Sequence, residues 1–262
     1  MKPLYIGKCW KDESERVNET QESPPWGWLT ALALPVAHLV IQIALTVGGS
    51  GMLLLALWAT ERLNPDSVTA LVNNGVFIGG LGALGGLGTL VLIYAVVTRL
   101  RKRPFRATIR LTGKSYVWRA AFGAVLLGGL MDVVTLVLRK PIVPDVLRPL
   151  FTGTASVAAM IVFAVIVTPL VEELLFRGVL FPVAARSLGT LGGVLLTSGL
   201  FGFAHVVTYG LDAYLIAQTL VAGLYLTWLR ARTGSLVPCV AAHTALNLYA
   251  TMEAVVLVNV FK

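Results

Sequence analysis

Seven long apolar stretches, separated by short polar or charged ones, run along the chain. The first spans about Trp26 to Trp58, the second about Val68 to Thr98 and the third Ala120 to Leu138. The fourth runs from about Phe151 to Ala185 around Pro169, the fifth from about Leu191 to Tyr209, the sixth from Ala213 to Leu229 and the seventh from Leu236 to Phe261. An α-helix rises about 1.5 Å per residue, so a hydrocarbon layer about 30 Å thick takes roughly 20 apolar residues. The pattern predicts an all-α, polytopic membrane bundle of seven helices, or eight if the first long stretch holds two. The first, second and fourth stretches are longer than one crossing and must tilt, protrude or break. Gly48-Gly49-Ser50-Gly51 is the expected break in the first, and Pro169 the expected kink in the fourth.

Composition sharpens this picture. Of 262 residues, 56% are hydrophobic and only 13% charged, against roughly 25% charged in soluble domains. So few charges could not cover a water-facing surface, and so apolar a chain is not disordered. Two cysteines, Cys9 and Cys239, make no disulfide framework, and three histidines make no His-rich metal cluster. Residues 1–25 form a polar tail with nine charged side chains and no apolar segment of the signal-peptide kind. The tail is expected to be disordered and cytoplasmic. Residues 26–149 hold the first three spans and residues 150–262 the last four.

The net charge of +8 becomes informative once it is located. Arg99, Arg101, Lys102, Arg103, Arg106, Arg110, Lys114 and Arg119 lie between the second and third stretches without one acid. The positive-inside rule places this loop, 99–119, in the cytoplasm. Counting outward, Arg230 and Arg232 also fall inside, whereas Arg139, Lys140 and Arg148 fall outside. The loop reads as a topology signal attracted to anionic headgroups, not as a nucleic-acid site. In the second stretch, Gly75 and Gly79, and Gly82 and Gly86, lie four apart and share helix faces, which predicts close helix packing within the chain rather than dimerisation.

Ionisable residues inside spans are costly and point to function. In Glu172-Glu173-Leu174-Leu175-Phe176-Arg177, Glu173 and Arg177 stand one helical turn apart and can pair. Glu172 points about 100° away, leaving it to face a cavity as a hydrated carboxylate able to act as general base on water. Phe201 stacks one turn before His205, and His243 one turn before Asn247. Asp132 and Glu253 are further single acids, and His38 beside Pro35 reads as a packed residue. A Glu, two His and an Asn suit hydrolysis of a carbonyl: Glu172 with His205 activating water, His243 and Asn247 donating to the oxyanion. The same Glu/His/His set could instead hold Zn²⁺. A His-Glu-x-x-His motif, an aspartyl pair and a Gly-x-Ser-Gly nucleophile are all missing. Cys239, one turn before His243, reads as a packing residue.

Glu172-Glu173-x-x-x-Arg177, Phe201-x-x-x-His205 and His243-x-x-x-Asn247, in this order on apolar helices, resemble the CPBP family. This family comprises CAAX prenyl proteases of the Ras-converting type and bacterial bacteriocin-processing or immunity proteins. The resemblance covers roughly residues 150 to 250. It implies an intramembrane endopeptidase, with Glu172 and His205 activating water, His243 and Asn247 at the oxyanion, and Glu173 and Arg177 in support. Members often have eight membrane helices, against the seven counted here. The implied partners are the lipid bilayer and a peptide or protein substrate near the cytoplasmic face of a bacterial or archaeal plasma membrane. The competing expectations are a non-proteolytic scaffold or immunity-type protein of the same fold, and a proton-coupled carrier.

Overall fold

The computed structural model describes residues 24–113 and 116–260. Lys114, Cys9 and nearly all of the polar tail lie outside the described residues. The architecture is all-α. Helix α1 is Trp28–Ala59, α2 Pro65–Val72, and α3 Gly75–Ala95, which runs on through a π-helical turn at Val96–Leu100. The short α4 (Phe105–Thr108) and then α5 (Val117–Val137) follow. Next comes α6 (154–180), a continuous rod of Thr154–Met160, Ile161–Val167, Thr168–Glu172 and Glu173–Leu180 whose second and fourth pieces are π-helical. Helices α7 (Phe181–Ala204), α8 (Val206–Tyr209), α9 (Ala213–Thr233) and α10 (Val237–Asn259) complete the chain.

Five helical runs are long and apolar enough to cross a membrane. One of them, Thr154–Tyr209, is 56 residues long and is broken at Gly189, whose φ of 73° only glycine adopts at low cost. The chain folds back there, since Gly193 lies against the Ala185 backbone. With this break, and with α9 packed between α7 and α10, the elements correspond to the seven apolar stretches. Leu29, Val36, Val40 and Val47 on α1 and Phe122, Leu126, Leu130 and Val133 on α5 are exposed. In water such belts would be untenable, and in a bilayer they are the lipid contact.

Two boundaries differ from the expected ones. Helix α1 passes through Gly48-Gly49-Ser50-Gly51 without a break. Gly48 and Gly51 have no neighbour within 4 Å of a Cβ position, so nothing intrudes on the helix. In lipid a break would strand backbone N–H and C=O groups. The second stretch, by contrast, is not one helix from Val68. It splits at Asn73-Asn74, where the Asn74 carboxamide oxygen accepts from the N–H groups of Val76 and Phe77 and starts α3.

Glycines of α3 bring three helices together within the chain, as expected from their spacing. Gly79 faces Ala159 and Met160, Gly82 faces Phe163, and Gly86 faces Val167 and Val171, so α3 and α6 run parallel and in step. Gly85 faces Gln42 of α1, whose Nε2 donates to the Gly82 carbonyl at 3.2 Å. A Cβ on Gly82 would stand 2.5 Å from the Phe163 ring. Gly82→Val is therefore expected to cost about 1–3 kcal/mol through overpacking, read as a lower midpoint of thermal unfolding in detergent. Gly80→Val, at a position with nothing within 4 Å, is expected to leave that midpoint unchanged.

The basic segment is tied to one end of the bundle. Leu236 N–H donates to the Arg110 carbonyl at 2.9 Å, and Ser235 Oγ donates to the Thr112 carbonyl. Arg230 Nε donates to the Arg177 carbonyl at 3.2 Å. The loop from Arg99 onward, the end of α9 and the start of α10 thus share the end at which α6 finishes. On the same side, Trp26 Nε1 donates to the Val179 carbonyl at 3.1 Å and Arg101 to Thr30 Oγ1 at 2.9 Å.

Candidate functional site

Helix α6 carries the first motif into a layer closed to water. Glu173 and Arg177 are fully buried and paired, Nη1 to Oε1, at 2.7 Å. A guanidinium in such a setting needs more than one acceptor to offset its lost hydration. Arg177 finds them on α9: Nε donates to Thr227 Oγ1 at 3.1 Å and Nη2 to the Gly223 carbonyl at 3.1 Å. Thr227 is held in turn by its own bond to the Gly223 carbonyl and by Ser198 Oγ at 3.2 Å. The guanidinium also lies over the Phe201 ring, 4.4 Å from its centroid, a cation–π contact that is strengthened by exclusion of water.

The third motif meets the first directly. His243 Nδ1 donates to Glu173 Oε1 at 2.8 Å, so one carboxylate oxygen serves both Arg177 and His243. Because a carboxylate only accepts, Nδ1 carries the proton and Nε2 is the free ring nitrogen. Nε2 lies 3.7 Å from Glu172 Oε2, a separation one water can bridge. The two adjacent acids thus address the two nitrogens of one imidazole. Glu173 is sealed, whereas Glu172 keeps 17% of its side chain exposed and its Oε2 has no hydrogen-bond partner. The division expected from the 100° offset between neighbouring residues is what the structure contains.

Asn247 is oriented by an irregularity in α6. The π-helical run Ile161–Val167 leads to Pro169. An i→i+5 bond to the Ala164 carbonyl would need an N–H at position 169, and proline has none. Asn247 Nδ2 donates to that carbonyl at 2.8 Å, and its second N–H proton is left for another acceptor. Pro169 therefore does not break α6; it frees a carbonyl that fixes Asn247.

His205 ends α7, where its Nδ1 donates to the Phe201 carbonyl at 2.9 Å and leaves Nε2 free. Its ring packs on Phe201 at 4.8 Å between centroids and stacks with Tyr209 at 6.1 Å. His243 packs on Phe201 at 5.8 Å. Phe201 is therefore the common wall of the site, touching Arg177, His205 and His243. The acid within 4 Å of a histidine Nε2 is Glu172, and that histidine is His243, not His205.

Several participants carry no sequence signal. Thr227, Gly223 and Ser198 look like ordinary small residues of apolar helices, and their role emerges only from the buried Arg177. The other ionisable groups fall elsewhere. Asp132 accepts a hydrogen bond from Tyr249 Oη, and Glu253 joins that pair. This places them between α5 and α10, about 9 Å along α10 from Asn247 by helix rise. Cys239 is free and buried, bonded through Sγ to the Ser235 carbonyl at 3.5 Å, which is a packing role. His38 packs against α3, with its Nδ1 2.8 Å from Thr89 Oγ1. Among the described residues no three His, Cys, Asp or Glu side chains stand together as an ion's ligands would. Glu172 Oε2 and His243 Nε2, 3.7 Å apart, are two donor atoms within 4 Å of each other, one fewer than the three protein ligands of a catalytic Zn²⁺ site.

No curated protein and no solved structure matches the chain. Residues 154–249, which contain all three motifs, match the family described as Rce1-like, type II CAAX prenyl endopeptidase Rce1-like.

Proposed function

We propose that the protein is an intramembrane endopeptidase in which Glu172 activates water for attack on a peptide carbonyl. The observation that carries this reading is Glu172, whose side chain is 17% exposed and whose buried Oε2 is unpartnered beside His243 Nε2, while Glu173 is paired with Arg177. Glu173 holds His243 Nδ1–H and so fixes the imidazole beside Glu172, and the second N–H of Asn247 is a donor for an oxyanion. Glu172 takes the proton from water as the C–O bond forms, then gives it to the departing amine as the C–N bond breaks. His205, with Nε2 free and its ring against Phe201, assists at the water.

The bound substrate is a peptide presented from the membrane at the basic end of the bundle. Arg177, one turn from Glu173, has its own carbonyl bonded to Arg230, so the site lies close to the end marked by the 99–113 segment. By the positive-inside rule this is the cytoplasmic face. The test uses purified protein in proteoliposomes with membrane-anchored peptides, some carrying a C-terminal prenylated cysteine and some not, and identifies products by mass spectrometry. Wild type is expected to generate new termini and His205→Ala to generate them at least about 10²-fold more slowly. Equal cleavage by wild type, His205→Ala and Glu172→Ala would overturn the assignment.

A further inference from the structure

His38 lies on α1, outside the segment 154–249 that matches the family. Its Nδ1 is 2.8 Å from Thr89 Oγ1 on α3. The Thr89 hydroxyl proton is committed to the Gly85 carbonyl, at 2.9 Å, so Thr89 accepts from His38 Nδ1–H. This fixes the tautomer with Nε2 as the free nitrogen, on the side of the ring away from Thr89.

The depth of His38 follows from helix register. Gly82 faces Phe163 and Gly86 faces Val167 on the parallel α6. Three residues on, Thr89 stands at the level of Leu170, within one turn of Glu172. Gln42, one turn along α1 from His38, bonds the Gly82 carbonyl and closes the same three-helix contact. Electrostatic coupling of Glu172 to both His38 and Tyr209 agrees with this register. The groups around Glu172 are therefore Glu173 and Arg177 on α6, His205 and Tyr209 from α7 and α8, His243 on α10 and His38 on α1.

We propose that His38 is a positioning residue of the site, held by Thr89 so that its Nε2 accepts a hydrogen bond from the Glu172 carboxyl while that group carries the proton taken from water. The proton stays on Glu172 until the amine leaves, and His38 fixes the oxygen that bears it. This rests on the reading of Glu172 as the general base. It also gives the first three helices a part in the reaction that the matched segment does not reveal.

Two isosteres separate the two ring nitrogens. Asparagine places an N–H where Nδ1 was and keeps the Thr89 bond; glutamine places its amide near Nε2 and loses that bond. His38→Asn is expected to unfold at the wild-type temperature, keep its KM for an anchored peptide and lose roughly 10-fold in kcat. His38→Gln is expected to retain more kcat than His38→Asn. Wild-type kcat in His38→Asn, or equal losses in both variants matched by equal losses of thermal stability, would overturn the proposal. Glu172→Gln measured alongside tells the two failures apart: if it cleaves at the wild-type rate, the underlying reading fails and not only the role of His38.

Discussion

Arg177→Leu is expected to destabilise the protein by about 3–5 kcal/mol, the cost of breaking a buried ion pair from one side. The substitution leaves Glu173 fully buried with its countercharge gone and removes one donor each from Thr227 Oγ1 and the Gly223 carbonyl. The guanidinium also leaves the face of Phe201, the wall shared with His205 and His243. The double variant Glu173→Gln/Arg177→Met removes both charges together and is expected to recover most of the stability, because no uncompensated charge remains. It is not expected to recover activity. A carboxamide at position 173 is a weaker acceptor than a carboxylate for His243 Nδ1–H and no longer fixes the ring as firmly. Denaturation in detergent paired with a cleavage assay reads both effects: stability returns in the double variant and rate does not.

Glu172→Gln is expected to lower kcat by about 10²–10⁴-fold, the range that general acid–base catalysis contributes. Its thermal stability should stay within about 0.5 kcal/mol of wild type, since Oε2 has no hydrogen-bond partner to lose. KM is expected to change little, because the carboxylate acts on water and not on the bound peptide. The contrast with Glu173 is the sharper form of the prediction. Two adjacent glutamates on one helix should divide cleanly, one tied to folding and the other to rate. The reason is that one is sealed against Arg177 and the other is partly open beside His243 Nε2.

Much of this was legible in the sequence because membrane helices are marked by uninterrupted apolar length, and charge inside them is rare enough to stand out. Glu172, Glu173, Arg177, His205 and His243 stand out that way, Asn247 stands one turn after His243, and the Glu173–Arg177 pair follows from i,i+4 geometry alone. The helix ends were less legible. Asn74 begins a helix through its side chain, a cap hidden in a run of small apolar residues, whereas the turn at Gly189 falls between the fourth and fifth apolar stretches, where the pattern puts it. Partners were least legible, because hydrogen bonds across the bundle depend on register and not on pattern. His38 resembles a lone packed histidine until α3 is placed in step with α6. Pro169 resembles a simple kink until the π-helical run before it leaves the Ala164 carbonyl for Asn247.

Activation of water by Glu172 without a metal is decided by the cleavage rate of one membrane-anchored peptide by wild type and Glu172→Gln in chelator-treated proteoliposomes. Wild type is expected to keep its full rate after chelation, and Glu172→Gln to be slower by at least about 10². Loss of wild-type activity on chelation with recovery on adding Zn²⁺, or equal rates in the two proteins, would contradict it.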